Sequence, residues 1–142
     1  MKVLLINGSP HEKGCTYTAL SLIARELNAG GIDTEILHVG GQPVGGCIGC
    51  GGCRKGEGCV FGGVVNEAIE KAKTADGFVF GSPVHYASAT GNMTSFMDRL
   101  AYAGGKYLAY KPAAICCSAR RAGTTTTLDQ LVKYPQFFHM PL

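Results

Sequence analysis

The chain has 142 residues, 46 % of them hydrophobic, which suits one packed core and leaves no need for a second domain. A net charge of +3 carried by scattered Lys and Arg residues argues against a nucleic-acid partner. The apolar run Val3–Ile6 stops at Asn7-Gly8-Ser9-Pro10, too short for a signal-peptide core, and no stretch reaches membrane length. A soluble, cytoplasmic protein with no membrane partner is therefore expected. Thiols stay reduced in that compartment, so clustered cysteines point to metal binding or catalysis rather than to disulfides.

In chain order, Lys2–Asn7 reads as a strand buried on both faces, the kind that parallel sheets contain. Thr16–Ala29 carries Leu20, Ile23, Ala24 and Leu27 on one helical stripe and ends before Gly30-Gly31. Thr34–Val39 is a second strand. The glycine-rich segment from Gly40 to Gly63 reads as a loop inserted after it. A helix over Val65–Thr74 leads to a third strand, Gly77–Gly81, and the set Met93, Phe96, Met97, Leu100 marks another helix. Ala113–Cys117 is a fourth strand, and Leu128–Tyr134 a short helix ending before Pro135.

Strands alternating with helices predict a doubly wound parallel sheet with helices on both faces, which binds ligands beyond the carboxyl ends of its strands. Three loops leave those ends. Gly8-Ser-Pro-His-Glu-Lys-Gly-Cys-Thr16 runs into a helix N-terminus, where free N–H groups and the helix dipole favour a phosphate. It is neither a Walker loop nor G-x-G-x-x-G, and no acidic residue closes the second strand, so a mononucleotide fits better than a dinucleotide. The alternative is a polar loop that only caps a helix. Ser82–Asn92 combines the rigid Pro83 with Tyr86 and small residues that let a flat ring approach the backbone; otherwise it is an ordinary strand-to-helix turn. Ser118–Thr127 pairs Arg120 and Arg121 with four threonines, donors for a ring edge or a developing anion, or simply an exposed charged turn.

The remaining signal is Cys47-Ile-Gly-Cys50-Gly-Gly-Cys53-Arg-Lys-Gly-Glu-Gly-Cys59, four of the chain's seven cysteines in the spacing C-x2-C-x2-C-x5-C. The compact first three resemble a ferredoxin run, with Cys59 as a local fourth ligand. Structural zinc sites prefer two separated C-x2-C knuckles. A 4Fe-4S cluster, zinc, redox thiols and unligated cysteines all remain open at this point. Cys116 and Cys117 fall in a buried-strand pattern, and Cys15 at a helix start reads as packing or as a reactive thiol.

Asn7-Gly-Ser-Pro10, Gly81-Ser-Pro-Val84 with Tyr86, and Arg120-Arg121 before Gly123 resemble the flavodoxin-like NADPH-dependent FMN reductases across the whole chain. With the four cysteines included, the sequence is most similar to the iron-sulfur flavoprotein group of that family. The resemblance implies a flavodoxin-like sheet in the order 2-1-3-4-5, noncovalent FMN and a 4Fe-4S cluster near the flavin on Cys47, Cys50, Cys53 and Cys59. It puts Ser9, His11, Cys15, Thr16 and Tyr17 around the FMN phosphate. Pro83, Val84, His85, Tyr86, Ala87 and Ser88 line the isoalloxazine ring, with Ser118, Arg120, Arg121, Gly123 and Thr124 at its edge. His11 and Cys15 stand where the family often has Arg and Asn, and His85 where a Tyr is frequent.

The implied function is electron transfer between a reduced donor, the cluster, FMN and an acceptor, with a ferredoxin-like protein, a quinone or NAD(P)H as partner. The alternatives are a cluster-free NAD(P)H-dependent FMN or quinone reductase and a non-enzymatic metal- or nucleotide-binding module. No catalytic base is evident beyond His85 as a proton relay. The cysteine segment is expected on the same carboxyl-end side as the three loops. A fifth strand is missing from the pattern, which predicts a single domain truncated at its C-terminus, with an unpaired fourth strand that a homo-oligomer would cover.

Overall fold

The computed structural model describes residues 1–56 and 58–142; Glu57, inside the cysteine-rich segment, lies outside the described residues. Four parallel strands form the sheet: β1 (Lys2–Asn7), β2 (Asp33–His38), β3 (Gly77–His85) and β5 (Ala113–Ser118). They lie in the order β2-β1-β3-β5, and a two-residue strand β4 (Ser88–Ala89) pairs antiparallel with the end of β3. The helices are α1 (Cys15–Ala29), α2 (Val64–Thr74), α3 (Gly91–Gly104) and α4 (Thr124–Phe137). This is the flavodoxin-like arrangement over its first four parallel strands.

The alternation along the strands decides which helices cover which face. Leu4, Ile6, Phe78 and Phe80 face α2, α3 and α4, where they meet Val65, Ile69, Phe96, Met97, Leu100 and Leu131. The Phe78 and Phe80 rings stack with centroids 6.0 Å apart. Leu5 and Val79 face the other way, onto Leu20 and Ala24 of α1. Each side chain of this size, once fully buried, contributes about 1.5–3 kcal/mol. Among the described residues no strand pairs on the outer side of β5, where the Ala113 N–H donates to the Pro141 carbonyl at 2.8 Å. Burial pushes the Cys116 thiol up to about 11, with Cys117 beside it as a smaller cause, so this thiol behaves as core rather than chemistry.

Two expectations are corrected. Strand β3 does not stop at Gly81 but runs to His85, so Pro83, Val84 and His85 are strand residues. β1 pairs with β3 only as far as Gly81, so beyond it Pro83 has no ladder partner on that side to miss its N–H, while β5 still flanks it on the other. Helix α4 likewise begins at Thr124, four residues before Leu128, and continues through Pro135 into its last turn. Four successive threonines are weak helix formers, yet the helix starts on them, the Thr127 N–H donating to the Gly123 carbonyl at 3.1 Å and its side chain fully buried.

Candidate functional site

Asn7 ends β1 with a buried carboxamide that shapes the loop after it. Its Oδ1 accepts from the Ser9 N–H at 3.1 Å and its Nδ2 donates to the Glu12 carbonyl at 3.1 Å. Ser9 in turn accepts the His11 N–H on Oγ at 3.1 Å, and its carbonyl meets His38 Nε2 at 2.7 Å. The loop ends at Gly14, which caps α1 without any side-chain acceptor, and the first turn of α1 holds no acidic residue. The helix N-terminus is therefore left to whatever occupies the space before it.

The second and third loops interlock. Tyr86 and Ala87 make the tight turn between β3 and β4 with φ of 50° and 60°, both left-handed as a two-residue hairpin of this twist requires. Gly123, at φ 92°, packs against Ala87, where an added Cβ would fall 2.7 Å from the Ala87 Cα. Thr126 Oγ1 donates to the Ala87 carbonyl at 2.7 Å. Thr90 then ties the turn to the first loop: its Oγ1 accepts from Met93 N–H at the start of α3 and donates to the Gly8 carbonyl at 2.8 Å. A hydroxyl pair, Thr16 and Ser118 at 2.9 Å, joins α1 to the end of β5.

These ties leave one cleft of about 410 Å³ at the carboxyl ends of β1, β3 and β5. Of the residues singled out from the sequence, Ser9, His11, Cys15, Thr16, Pro83, Val84, His85, Ser118 and Arg120 line it. Tyr17, Tyr86, Ala87, Ser88, Arg121, Gly123 and Thr124 do not line it; Tyr86 stands fully exposed at the hairpin tip. Pro10, Gly14 and Ala119 complete the wall, and the sequence reading had not selected them. The donor set suits a phosphorylated planar ligand such as FMN: an uncapped helix N-terminus, hydroxyls, one guanidinium and an apolar Pro-Val wall.

The cysteine segment goes elsewhere. Asn92 at the start of α3 receives the Val44 N–H on Oδ1 and donates to the carbonyls of Gly40 and Gln42, and the segment then descends along α3. Cys47, Cys50, Cys53 and Cys59 line one pocket of about 300 Å³ with Phe61, Arg99 and Tyr102. Arg99 is seven residues beyond Asn92, roughly 10 Å along the helix. The pocket shares no lining residue with the cleft. The cysteine segment was expected on the same carboxyl-end side as the three loops; it enters there at Asn92, and its contacts with Asn92 and Arg99 then lead it down the flank of α3.

Cys47 and Cys50 are exposed, while Cys53 and Cys59 are half-buried. Among the described residues no three His, Cys, Asp or Glu side chains are grouped closely enough to hold a metal ion, although all four cysteines line one pocket. Cys59 is the best anchored. Asn66 clasps its backbone, accepting the N–H at 2.7 Å and donating to the carbonyl at 3.0 Å, and Arg99 Nε lies 3.2 Å from its Sγ. Asn66, Asn92 and Arg99 were missed in the sequence. The available signal was Arg99 itself, a charge between the apolar residues Met97 and Leu100 of a buried helical stripe.

Among the curated relatives are an iron-sulfur flavoprotein of Methanocaldococcus jannaschii, 37% identical over 103 residues, and one of Archaeoglobus fulgidus, 35% identical over 99. Each match covers 70% of this chain and 51% and 48% of the relative, so the chain spans about half the length of these proteins. Solved structures of the same fold include an apo NADH:FMN oxidoreductase, at TM-score 0.71 and 22% identity over 98% of this chain and 70% of that one. An archaeal flavodoxin matches at TM-score 0.67 and 15% identity, covering 99% and 76%. The family model for NADPH-dependent FMN reductase matches residues 1–142, and the chain belongs to that family.

Proposed function

We propose that this chain is an FMN-binding, iron-sulfur flavoprotein-like oxidoreductase that passes electrons between a reduced donor, a 4Fe-4S cluster, FMN and an acceptor. The observation that carries the reading is the convergence of three separate loops, an uncapped helix N-terminus and Arg120 on one cleft at the strand ends. FMN supplies hydride and one-electron chemistry when bound. The N–H groups at the start of α1 and the Ser9 and Thr16 hydroxyls hold the phosphate, and Pro83 and Val84 form the apolar wall for the ring. Thr16 and Ser118 fix the spacing between the two sides of the cleft. His85, exposed at the cleft mouth, is the group placed to carry a proton.

The four cysteines, Cys47, Cys50, Cys53 and Cys59, are the soft donor set that would hold an iron-sulfur cluster. A second groove, lined by Arg54 and Lys106, borders Cys53 and suits an acidic donor such as a ferredoxin-like protein. Anaerobic purification, an absorption spectrum and iron and acid-labile sulfide assays test the proposal. Flavin and iron-sulfur bands together are expected. A flavin-replete, iron-free sample favours the second reading, a cluster-free NAD(P)H-dependent FMN or quinone reductase, which draws on the ungrouped sulfurs. A sample that binds no FMN on reconstitution refutes both.

A further inference from the structure

Arg99 is only 6% exposed, and among the described residues no carboxylate pairs with it. Its guanidinium spends its donors on the cysteine segment instead. Nε reaches Cys59 Sγ at 3.2 Å, Nη1 the Gly45 carbonyl at 3.4 Å and Nη2 the Gly62 carbonyl at 3.0 Å, while the Phe61 ring centroid lies 5.4 Å from Cζ. One rigid fork thus grips the segment on both sides of its cysteines, two residues before Cys47 and three after Cys59. A guanidinium stays charged, and a buried charge matched only by carbonyl dipoles and a ring is costly. The neighbour able to supply the missing negative charge is cysteine sulfur. Lysine would not substitute, since it is a point charge without the planar fork.

We propose that Arg99 is a positioning residue for the four-cysteine site. It clamps the two ends of the segment, presets Cys59 as the first ligand, and through its hydrogen bond to Sγ raises the reduction potential of the cluster the cysteines hold. The last of these rests on the cluster reading; the clamp does not.

Two measurements on the full chain separate them. In metal-free protein, amide hydrogen exchange across residues 44–63 is expected to be at least about tenfold faster in Arg99→Gln than in wild type, with protection of β1 and β3 unchanged and Arg99→Lys in between. Equal exchange in the segment, or loss spread equally over β1 and β3, overturns the clamp. After anaerobic reconstitution with iron and sulfide, Arg99→Gln is expected to move the one-electron equilibrium about tenfold towards the oxidised cluster, about 59 mV, with Arg99→Lys recovering part of it. An unchanged potential at full iron content overturns the tuning role. A wild-type protein that takes up no iron sinks the cluster reading and the tuning with it, and the exchange comparison alone then decides the clamp. If Arg99→Gln does not fold, Arg99→Lys carries both comparisons, with changes of smaller size in the same directions.

Discussion

Gly40 follows β2 where the first loop crosses it, and there is no space for a side chain there. An added Cβ would fall 2.1 Å from the Ser9 oxygen, 2.4 Å from the Ser9 carbonyl carbon and 2.7 Å from the Gly8 oxygen, all backbone atoms. Ordinary contact begins at 3.4 Å, so Gly40→Ala forces Gly40 and the Ser9 carbonyl apart by about 1.3 Å. That movement also pulls the Ser9 carbonyl from His38 and disturbs the hydroxyl that receives the His11 N–H. Overpacking of this kind costs about 1–3 kcal/mol and the lost hydrogen bond about 1 more, together about 2–4 kcal/mol. If the loop stays in place the cost appears in thermal unfolding, as a melting temperature lower by roughly 6 °C or more. If the loop opens to relieve the overlap, it appears in FMN affinity, weakened roughly thirty-fold to nearly a thousandfold in a flavin fluorescence titration. Gly91→Ala, with nothing within 4 Å of the new Cβ, is the control. A Gly40→Ala protein that matches the control in both melting and FMN binding would refute the argument, since it would mean that the first loop is not packed on the end of β2.

Thr16→Val keeps the side chain's shape but removes both its bond to Ser118 and the hydroxyl proposed to hold the phosphate; a loss of at least about 1 kcal/mol is expected, read as roughly fivefold or more weaker FMN binding with an unchanged secondary-structure spectrum. Hydrogen bonds from Lys2 and Lys71 hold the Glu35 carboxyl below its ordinary value of 4.5. Its folded pKa is depressed, so its contribution to stability is present above the unfolded value and lost as pH falls through the folded one. The stability gap between wild type and Glu35→Gln, at most about 1 kcal/mol for so exposed a cluster, should therefore be flat near neutrality and close below about pH 4.5 in urea titrations. In metal-free native protein, alkylation followed by mass spectrometry should modify the exposed Cys47 and Cys50 early. Cys116, half-buried in β5 with its thiol pushed up to about 11 by burial, should lag well behind them at neutral pH, and equal rates would contradict that environment.

The sheet was legible because its strands are buried on both faces. Leu4-Leu5-Ile6 and Phe78-Val79-Phe80 leave no polar residue to mark a solvent side, and only a parallel sheet under helices accommodates that. The helices over Thr16–Ala29 and Val65–Thr74 were legible through their 3.6-residue stripes, and the observed helices begin one residue earlier in each case. The β3–β4 hairpin was not, since its turn uses Tyr86 and Ala87 where the common signal is Asn-Gly, and their positive φ accompanies the packing of Gly123 and Thr126 at the start of α4. The start of α4 was hidden for a related reason: four threonines argue locally for a loop, and the tie from Thr126 to the Ala87 carbonyl that fixes this turn exists only in the assembled fold.

The cysteine segment shows the same limit more sharply. Its ligand chemistry is local, four thiols within thirteen residues, and the spacing carries it without any fold. Its position is nonlocal, set by Asn92 and Arg99 on a helix that begins more than thirty residues after the last cysteine and by Asn66 on the helix between. Glycine-rich chain has few side chains of its own with which to choose a course, so the choice falls to whichever polar groups the folded body presents. Asn92 and Arg99, seven residues apart, occupy one face of α3, and that stripe is what carries the segment away from the strand ends. The cleft for the flavin and the pocket of the cysteines are thus separate constructions meeting at α3: Thr90 at its N-cap ties the first loop, Asn92 fixes the segment's entry, and Arg99 holds Cys59 two turns further on. A substitution at Thr90 should therefore disturb the cleft with little effect at Cys59, and one at Arg99 the reverse.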